Sequence, residues 1–244
     1  MSPEEAGAAG AGAGSEPGEG EAAARLAAIR ARIEAAARAS GRASGQVVLV
    51  GASKMQPAAR LGAFFAAGLR AFGENRVQEA AAKRRELPRE IEWHLLGPLQ
   101  SNKVRAALDL FTTFHAVDRP KIAEAIDREA AARGLRVAGF LEVNLGQEAS
   151  KHGFPPAGLA DAIAPLARLE HLRIAGLMAI PPPGGEPRRW FLELRELRDR
   201  IAARPEWAGF PGWLSMGMSD DFETAIEEGA THVRIGTALF GPRE

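Results

Sequence analysis

Lysine is scarce in this chain, and one lysine stands where an amine can react. Lys54, Lys83, Lys103, Lys121 and Lys151 are the five in 244 residues, with arginine supplying the rest of the positive charge. Lys54 closes the apolar run Val47–Ala52 through Ser53. Partial desolvation at such a strand end favours the neutral amine that attacks an aldehyde; the bland alternative is a lysine that snorkels out to water. Far along the chain, Leu214-Ser-Met-Gly-Met-Ser219 and Val233-Arg-Ile-Gly-Thr237 each read as a buried strand running out into small residues. Ser219 offers a hydroxyl as the cap of a helix beginning at Asp220. Gly236 allows close backbone approach and Thr237 adds a second hydroxyl, so the two segments make the halves of a phosphate cup. An amine plus a phosphate cup can hold pyridoxal 5′-phosphate (PLP) as a Schiff base.

Arg234 lies on the strand leading into that cup, three residues before Thr237. Its charge is costly to bury without a partner, either a carboxylate or the pyridine nitrogen of the cofactor. A guanidinium keeps its proton, so at the second partner it leaves the ring uncharged and a poor electron sink. Such a site grips the cofactor better than it drives carbanion chemistry. Asp220 and Asp221 would repel an anion and are therefore expected to face solvent. Glu74, Asn75 and Asn144 close strands at the same rim, as ring contacts or as partners of loop backbone. Lys103 and Lys151 can reach that rim, whereas Lys83 and Lys121 sit in helical patterns and read as solvated. His94 and His115 read as hydrogen-bonded core or rim histidines, and the five histidines have no metal-ligand spacing. Met178, Met216 and Met218 read as barrel-lining residues.

The elements that must carry these groups alternate. Apolar runs at Val47–Lys54, Leu69–Glu74, Ile91–Gly97, Thr112–Val117, Val137–Asn144, Ile174–Ile180, Trp213–Met218 and His232–Gly236 read as strands. Amphipathic segments lie between them, for example Ile122/Ile126 and Trp190/Leu194/Leu197/Ile201. Pro57 suits a helix start, and Gly68, Gly134 and Gly229 suit positions just past a helix end. Eight strands alternating with helices predict an α/β fold, a single (β/α)8 TIM barrel over residues 21–244, entered by an extra N-terminal helix carrying Leu26, Ile29 and Ile33. The rival is an open doubly wound sheet, but the first strand ends in Gly-Ala-Ser-Lys and has no dinucleotide fingerprint. Residues 1–20, rich in Gly, Ala, Glu and Pro, are expected to form a disordered tail.

Balanced charge, 31 basic against 31 acidic residues, leaves no electrostatic footprint for nucleic acid or an anionic membrane. The absence of cysteine excludes disulfides and thiolate chemistry and suits a reducing compartment. No run of apolar residues reaches the roughly 20 needed to cross a bilayer, and no signal pattern opens the chain. The expectation is a cytoplasmic protein.

Ser53-Lys54, Phe72-Gly-Glu-Asn75, Trp93-His-Leu-Leu-Gly-Pro-Leu-Gln-Ser-Asn-Lys103, Gly176-Leu-Met178 and the two C-terminal segments closely resemble the YggS/PROSC family of pyridoxal phosphate homeostasis proteins. The likeness runs from about Val47 to Gly241 in the same order. It implies a barrel similar to the N-terminal domain of alanine racemase and a lysine aldimine at Lys54. It also implies a phosphate site at Ser219, Gly236 and Thr237, Arg234 at the pyridine nitrogen, and Asn75 and Met216 lining the cofactor. The family usually carries an aromatic residue after Gly-Glu-Asn, where this chain has Arg76.

The resemblance implies a binder that buffers or delivers PLP, with apo PLP-dependent enzymes as recipients and no robust catalysis. Likeness and a balanced surface favour a monomer. Two enzymatic readings compete. A PLP-dependent racemase needs a second acid/base, a tyrosine from a separate β-domain in the related racemases; this chain has no tyrosine and ends at Glu244. A lyase or aldolase would use Lys54 directly on a phosphorylated carbonyl substrate.

Overall fold

Eight short strands pair in parallel, in chain order, until the last returns to the first. They are β1 Val48–Ala52, β2 Ala71–Glu74, β3 Glu92–Leu95, β4 Thr113–Val117, β5 Val137–Glu142, β6 Leu172–Met178, β7 Trp213–Ser215 and β8 His232–Ile235. This computed structural model describes residues 18–148 and 152–241. Residues 1–17 of the expected tail, and Lys151, lie outside the described residues. Pairing of Val48 with His232, Leu49 with Val233, Val50 with Arg234 and Gly51 with Ile235 closes the barrel and removes the open-sheet alternative.

Seven of the strands are shorter than their apolar runs, and β6 lies two residues earlier than its run at the same length. Past Ala52 and Ser215 the chain turns onto the rim, where Gly217 adopts φ +91° and a Cβ there would lie 2.6 Å from Ala225. Helices occupy the outer layer: α1 Glu19–Ala39, α2 Ala58–Ala66, α3 Val77–Arg84, α4 Val104–Leu108, α5 Pro120–Ala132, α6 Leu159–Ile163, α7 Pro187–Ala202, α8 Phe222–Glu227 and α9 Thr237–Phe240. The first buries Leu26, Ile29 and Ile33 against α2, α8 and α9, so it covers the seam where β8 meets β1. Under that seam Phe240 contacts Phe64 edge-on at 4.8 Å and lies 6.4 Å from Phe72. Gly68, Gly134 and Gly229 take left-handed φ just past helix ends, as their positions predict.

Side chains alternate along each strand, and the inward set is unusually polar. His94, His115, His232, Ser215 and Arg234 share the interior with Phe140, Met178 and Ala116. No described helix is long and apolar enough to cross a membrane.

Gly176 pairs with Trp213, and a Cβ at Gly176 would lie 1.9 Å from the Trp213 carbonyl oxygen. Gly176→Ala must therefore push β6 from β7. We expect a loss of about 1–3 kcal/mol or more, read as a lowered urea midpoint; an unchanged midpoint would contradict this register.

Candidate functional site

At the C-terminal ends of β1, β2 and β8 lies a cavity of about 230 Å³. Lys54, Asn75, Ser219, Arg234, Gly236 and Thr237 all line it, so six of the seven residues expected at the site share one wall. Met216 does not. It is fully buried in the apolar core, because β7 ends at Ser215 and the next side chain turns away from the mouth. Met218 was expected inside the barrel but stands on the cavity rim, 38% exposed, beside the exposed Ile180. Gln56 and Leu96 also line it, and neither was expected at the site. A larger hollow of about 580 Å³ beside Trp207 and Phe210 holds no lysine and lies at the opposite, N-terminal ends of β5 and β6.

The turn that carries Lys54 is clamped from below. Lys83, on α3, donates to the Ser53 carbonyl oxygen at 2.8 Å and to one carboxylate oxygen each of Glu74 and Glu79 at 2.7 Å. Ser53 Oγ donates to the same Glu74 oxygen at 2.6 Å, and the Met55 N–H donates to Glu79 at 2.6 Å. Residues on both sides of Lys54 are thus tied to one buried ion-pair network, which holds Met55 at φ +62°. Non-glycine residues rarely adopt that left-handed backbone. Lys83 is buried, contrary to its solvated reading: the amphipathic pattern of α3 hides a cation whose counter-charges come from β2 and its own helix. Burial pushes the Glu74 carboxyl up against the opposing pull of Lys83 and Ser53. At Glu79 burial also pushes upward, but Lys83 and the Met55 N–H outweigh it and the carboxyl lies low. Lys54 itself is half-buried at the cavity wall.

Arg234 is held from the opposite side. Its guanidinium donates to Ser215 Oγ at 2.6 Å and to the Ala179 carbonyl oxygen at 3.2 Å. Burial pulls it down to about 10, against the attraction of Asp221 and Glu142, so it stays charged at neutral pH. Arginine only donates, so Ser215 Oγ accepts from it, and the same oxygen is hydrogen-bonded to His115 Nδ1 at 2.7 Å. His115 Nε2 pairs in turn with His94 Nδ1 at 2.9 Å, the donor set by the tautomer of the two rings. One charged group therefore anchors a chain of three buried polar side chains. Desolvation holds His94 down to about 4 and His232 to about 3, and His115 well below the usual range, so all three are neutral at pH 7.

The cup is assembled differently from its expected form. Ser219 does not cap α8; its hydroxyl accepts from the Ala238 N–H at 3.2 Å and so joins the β7 and β8 halves. Asp221 is the residue before α8, and its carboxylate is half-buried on the Met218 N–H at 2.6 Å rather than turned to solvent. Asp220 is exposed but lines the cavity. A Cβ at Gly97 would lie 2.5 Å from the Asn75 carbonyl oxygen, so glycine there lets the loop bearing Asn75 sit down on β3. Asn144 bonds both backbone groups of Glu148 and stays a loop partner.

Comparison with known proteins agrees with this fold. The family model described as alanine racemase, N-terminal domain, matches residues 24–244. The pyridoxal phosphate homeostasis protein of Pseudomonas aeruginosa is 45% identical over 202 residues, covering 81% of this chain and 85% of the relative. That of Aquifex aeolicus is 42% identical over 200 residues, covering 80% and 87%. This chain belongs to the YggS/PROSC family. PipY of Synechococcus elongatus, solved with PLP bound, superposes with a TM-score of 0.79 at 39% identity, covering 90% of this chain and 100% of PipY. Alanine racemase from Corynebacterium glutamicum, at 19% identity and a TM-score of 0.66, shares the fold alone.

Two outcomes follow from the buried supports. Lys83→Met strands the Glu74 carboxylate, so a stability loss of about 3–5 kcal/mol is expected, with partial recovery when Glu74→Gln is added. Equal stability of Lys83→Met and the parent protein would contradict the clamp. The histidines make stability fall with acid, because the unfolded chain takes up protons first. For His94 the contribution is complete above about pH 6.5 and lost as pH falls through about 4, on the order of 3 kcal/mol at ~1.4 kcal/mol per pH unit. Glu74, Glu142 and Asp221, all raised by burial, oppose this slope. Urea midpoints at pH 7 and pH 5 should therefore converge in His94→Gln; an undiminished gap would contradict the assignment.

Proposed function

We propose that this chain binds PLP as its cargo, forming a Schiff base through Lys54, and serves to hold and deliver it rather than to turn over a substrate. The observation that carries the reading is the meeting of an amine, two hydroxyls, a glycine and a buried guanidinium around one cavity. These groups fit the cofactor in kind. Ser219, Gly236 and Thr237 suit its phosphate, Arg234 its pyridine nitrogen, and Lys54 its aldehyde. When bound, the cofactor supplies an electrophilic carbon and a conjugated ring.

The residues of this chain do the rest. The clamp from Lys83 keeps the Lys54 turn aimed at the cup. Arg234, charged and already donating to Ser215, offers hydrogen bonds at the floor and does not give up its proton at neutral pH, so a pyridine nitrogen held beside it would stay unprotonated. A racemase would need acid/base groups on both faces of the reacting carbon. The cavity wall includes no histidine, the chain has no tyrosine, and Asp220 stands exposed at the mouth. The PLP-bound state of PipY and the names of the curated relatives support the same reading. Apo PLP-dependent enzymes are the proposed recipients, and a monomer in the cytoplasm is the proposed carrier.

Protein mixed with PLP should be yellow and Lys54→Ala colourless. Incubation of the yellow protein with L-alanine, followed by chiral analysis, should give no sustained formation of the D-isomer. Continuous turnover would replace the carrier with the racemase, and a yellow Lys54→Ala protein would remove the lysine assignment.

A further inference from the structure

The segment Gln100-Ser-Asn-Lys103 contributes nothing to the cavity at Lys54, yet its ends, Gln100 and Lys103, line a second one. That hollow, about 450 Å³, opens on the same rim between the loops that follow β2, β3 and β4. Arg76, Lys103 and Arg119 reach it from three different loops, and Asn75 is a wall common to both cavities. Its floor is apolar, with Val77, Leu95 and Leu99 all buried.

The charges in this hollow are not equivalent. Arg119 is spent on Asp118, donating to its two oxygens at 2.6 and 2.7 Å, and also donates to the Leu99 carbonyl oxygen at 3.3 Å. His152 lies 3.3 Å from the same carboxylate. Asp118 is thereby neutralised and hardly exposed. Arg76 and Lys103 have no ion pair and no side-chain hydrogen bond among the described residues. Two uncompensated cations thus face one cavity in a chain whose formal net charge is zero. A guanidinium fork with an ammonium suits a tetrahedral dianion, and a phosphate monoester carries about −1.5 to −2 at neutral pH. The apolar floor would take the organic body of the ester, and the volume lies within the usual range of small-molecule sites.

We propose that this hollow is a second site for a small aromatic phosphate monoester, with the phosphate on Arg76 and Lys103 and the ring over Val77, Leu95 and Leu99. Beside the Lys54 cavity and sharing Asn75 with it, it would stage the phosphorylated cargo on its way in or out. Only that staging role rests on the function proposed above; binding itself does not.

The test uses the full chain loaded with PLP and reduced with borohydride, so that the Lys54 cavity is filled. Phenyl phosphate, which has no aldehyde, is titrated by calorimetry. One saturable site per chain is expected, weakened about tenfold or more, roughly 1.4 kcal/mol or more, in Arg76→Gln/Lys103→Gln and largely restored in Arg76→Lys/Lys103→Arg. Phenol should not bind. Absence of a saturable site, or an affinity that the Gln pair leaves unchanged, would overturn the proposal, as would equal affinity for phenol. If Lys54 fails to take up PLP, the carrier reading fails alone. The same titration on the unloaded chain then still decides whether Arg76 and Lys103 hold a phosphate, by whether the Gln pair removes one binding event.

Discussion

Four backbone pairings between β1 and β8 bring together groups that are about 180 residues apart in sequence. Val50 pairs with Arg234 and Gly51 with Ile235, so the chain leaving β1 at Lys54 emerges beside the chain leaving β8 at Gly236 and Thr237. Side-chain direction alternates along a strand, and a slip of one residue would reverse it. Arg234 would then face the helices and Val233 the interior. The seam register is therefore the constraint under every other feature of the site. The long α1, laid across α2, α8 and α9, is the packing that protects it.

Two polar systems then hold the functional groups from opposite sides. The Lys83–Glu74–Glu79 network ties down the Lys54 turn. The Arg234–Ser215–His115–His94 chain fixes the floor. Buried ionic groups are weak sources of stability, since desolvation consumes most of the Coulomb gain. What they contribute here is direction: Lys83 meets three acceptors and Arg234 two, which together hold the Lys54 turn and the guanidinium in place. The apolar core around Phe64, Phe72 and Phe240 carries the stability that these networks spend.

Much of this was legible in the residues. Alternating apolar runs gave the eight strands within a few residues, and the strand-end positions of Lys54, Arg234 and Thr237 placed them at one rim. What escaped was set by tertiary partners. Lys83 looks like any helical lysine until Glu74, from β2, is seen beneath it. Ser219 has the local pattern of a helix cap, but the Ala238 N–H from the chain after β8 claims its oxygen. Met216 and Met218 exchanged their expected places because β7 stops at Ser215, a boundary that an apolar run cannot mark. Ser215 carried no signal as a relay, since only the fold sets it between His115 and Arg234.

The most direct test is mass spectrometry of peptides from protein incubated with PLP and reduced with borohydride. The account predicts one pyridoxyl phosphate adduct per chain, on the peptide containing Lys54. An adduct confined to another lysine, with Lys54 unmodified, would contradict it.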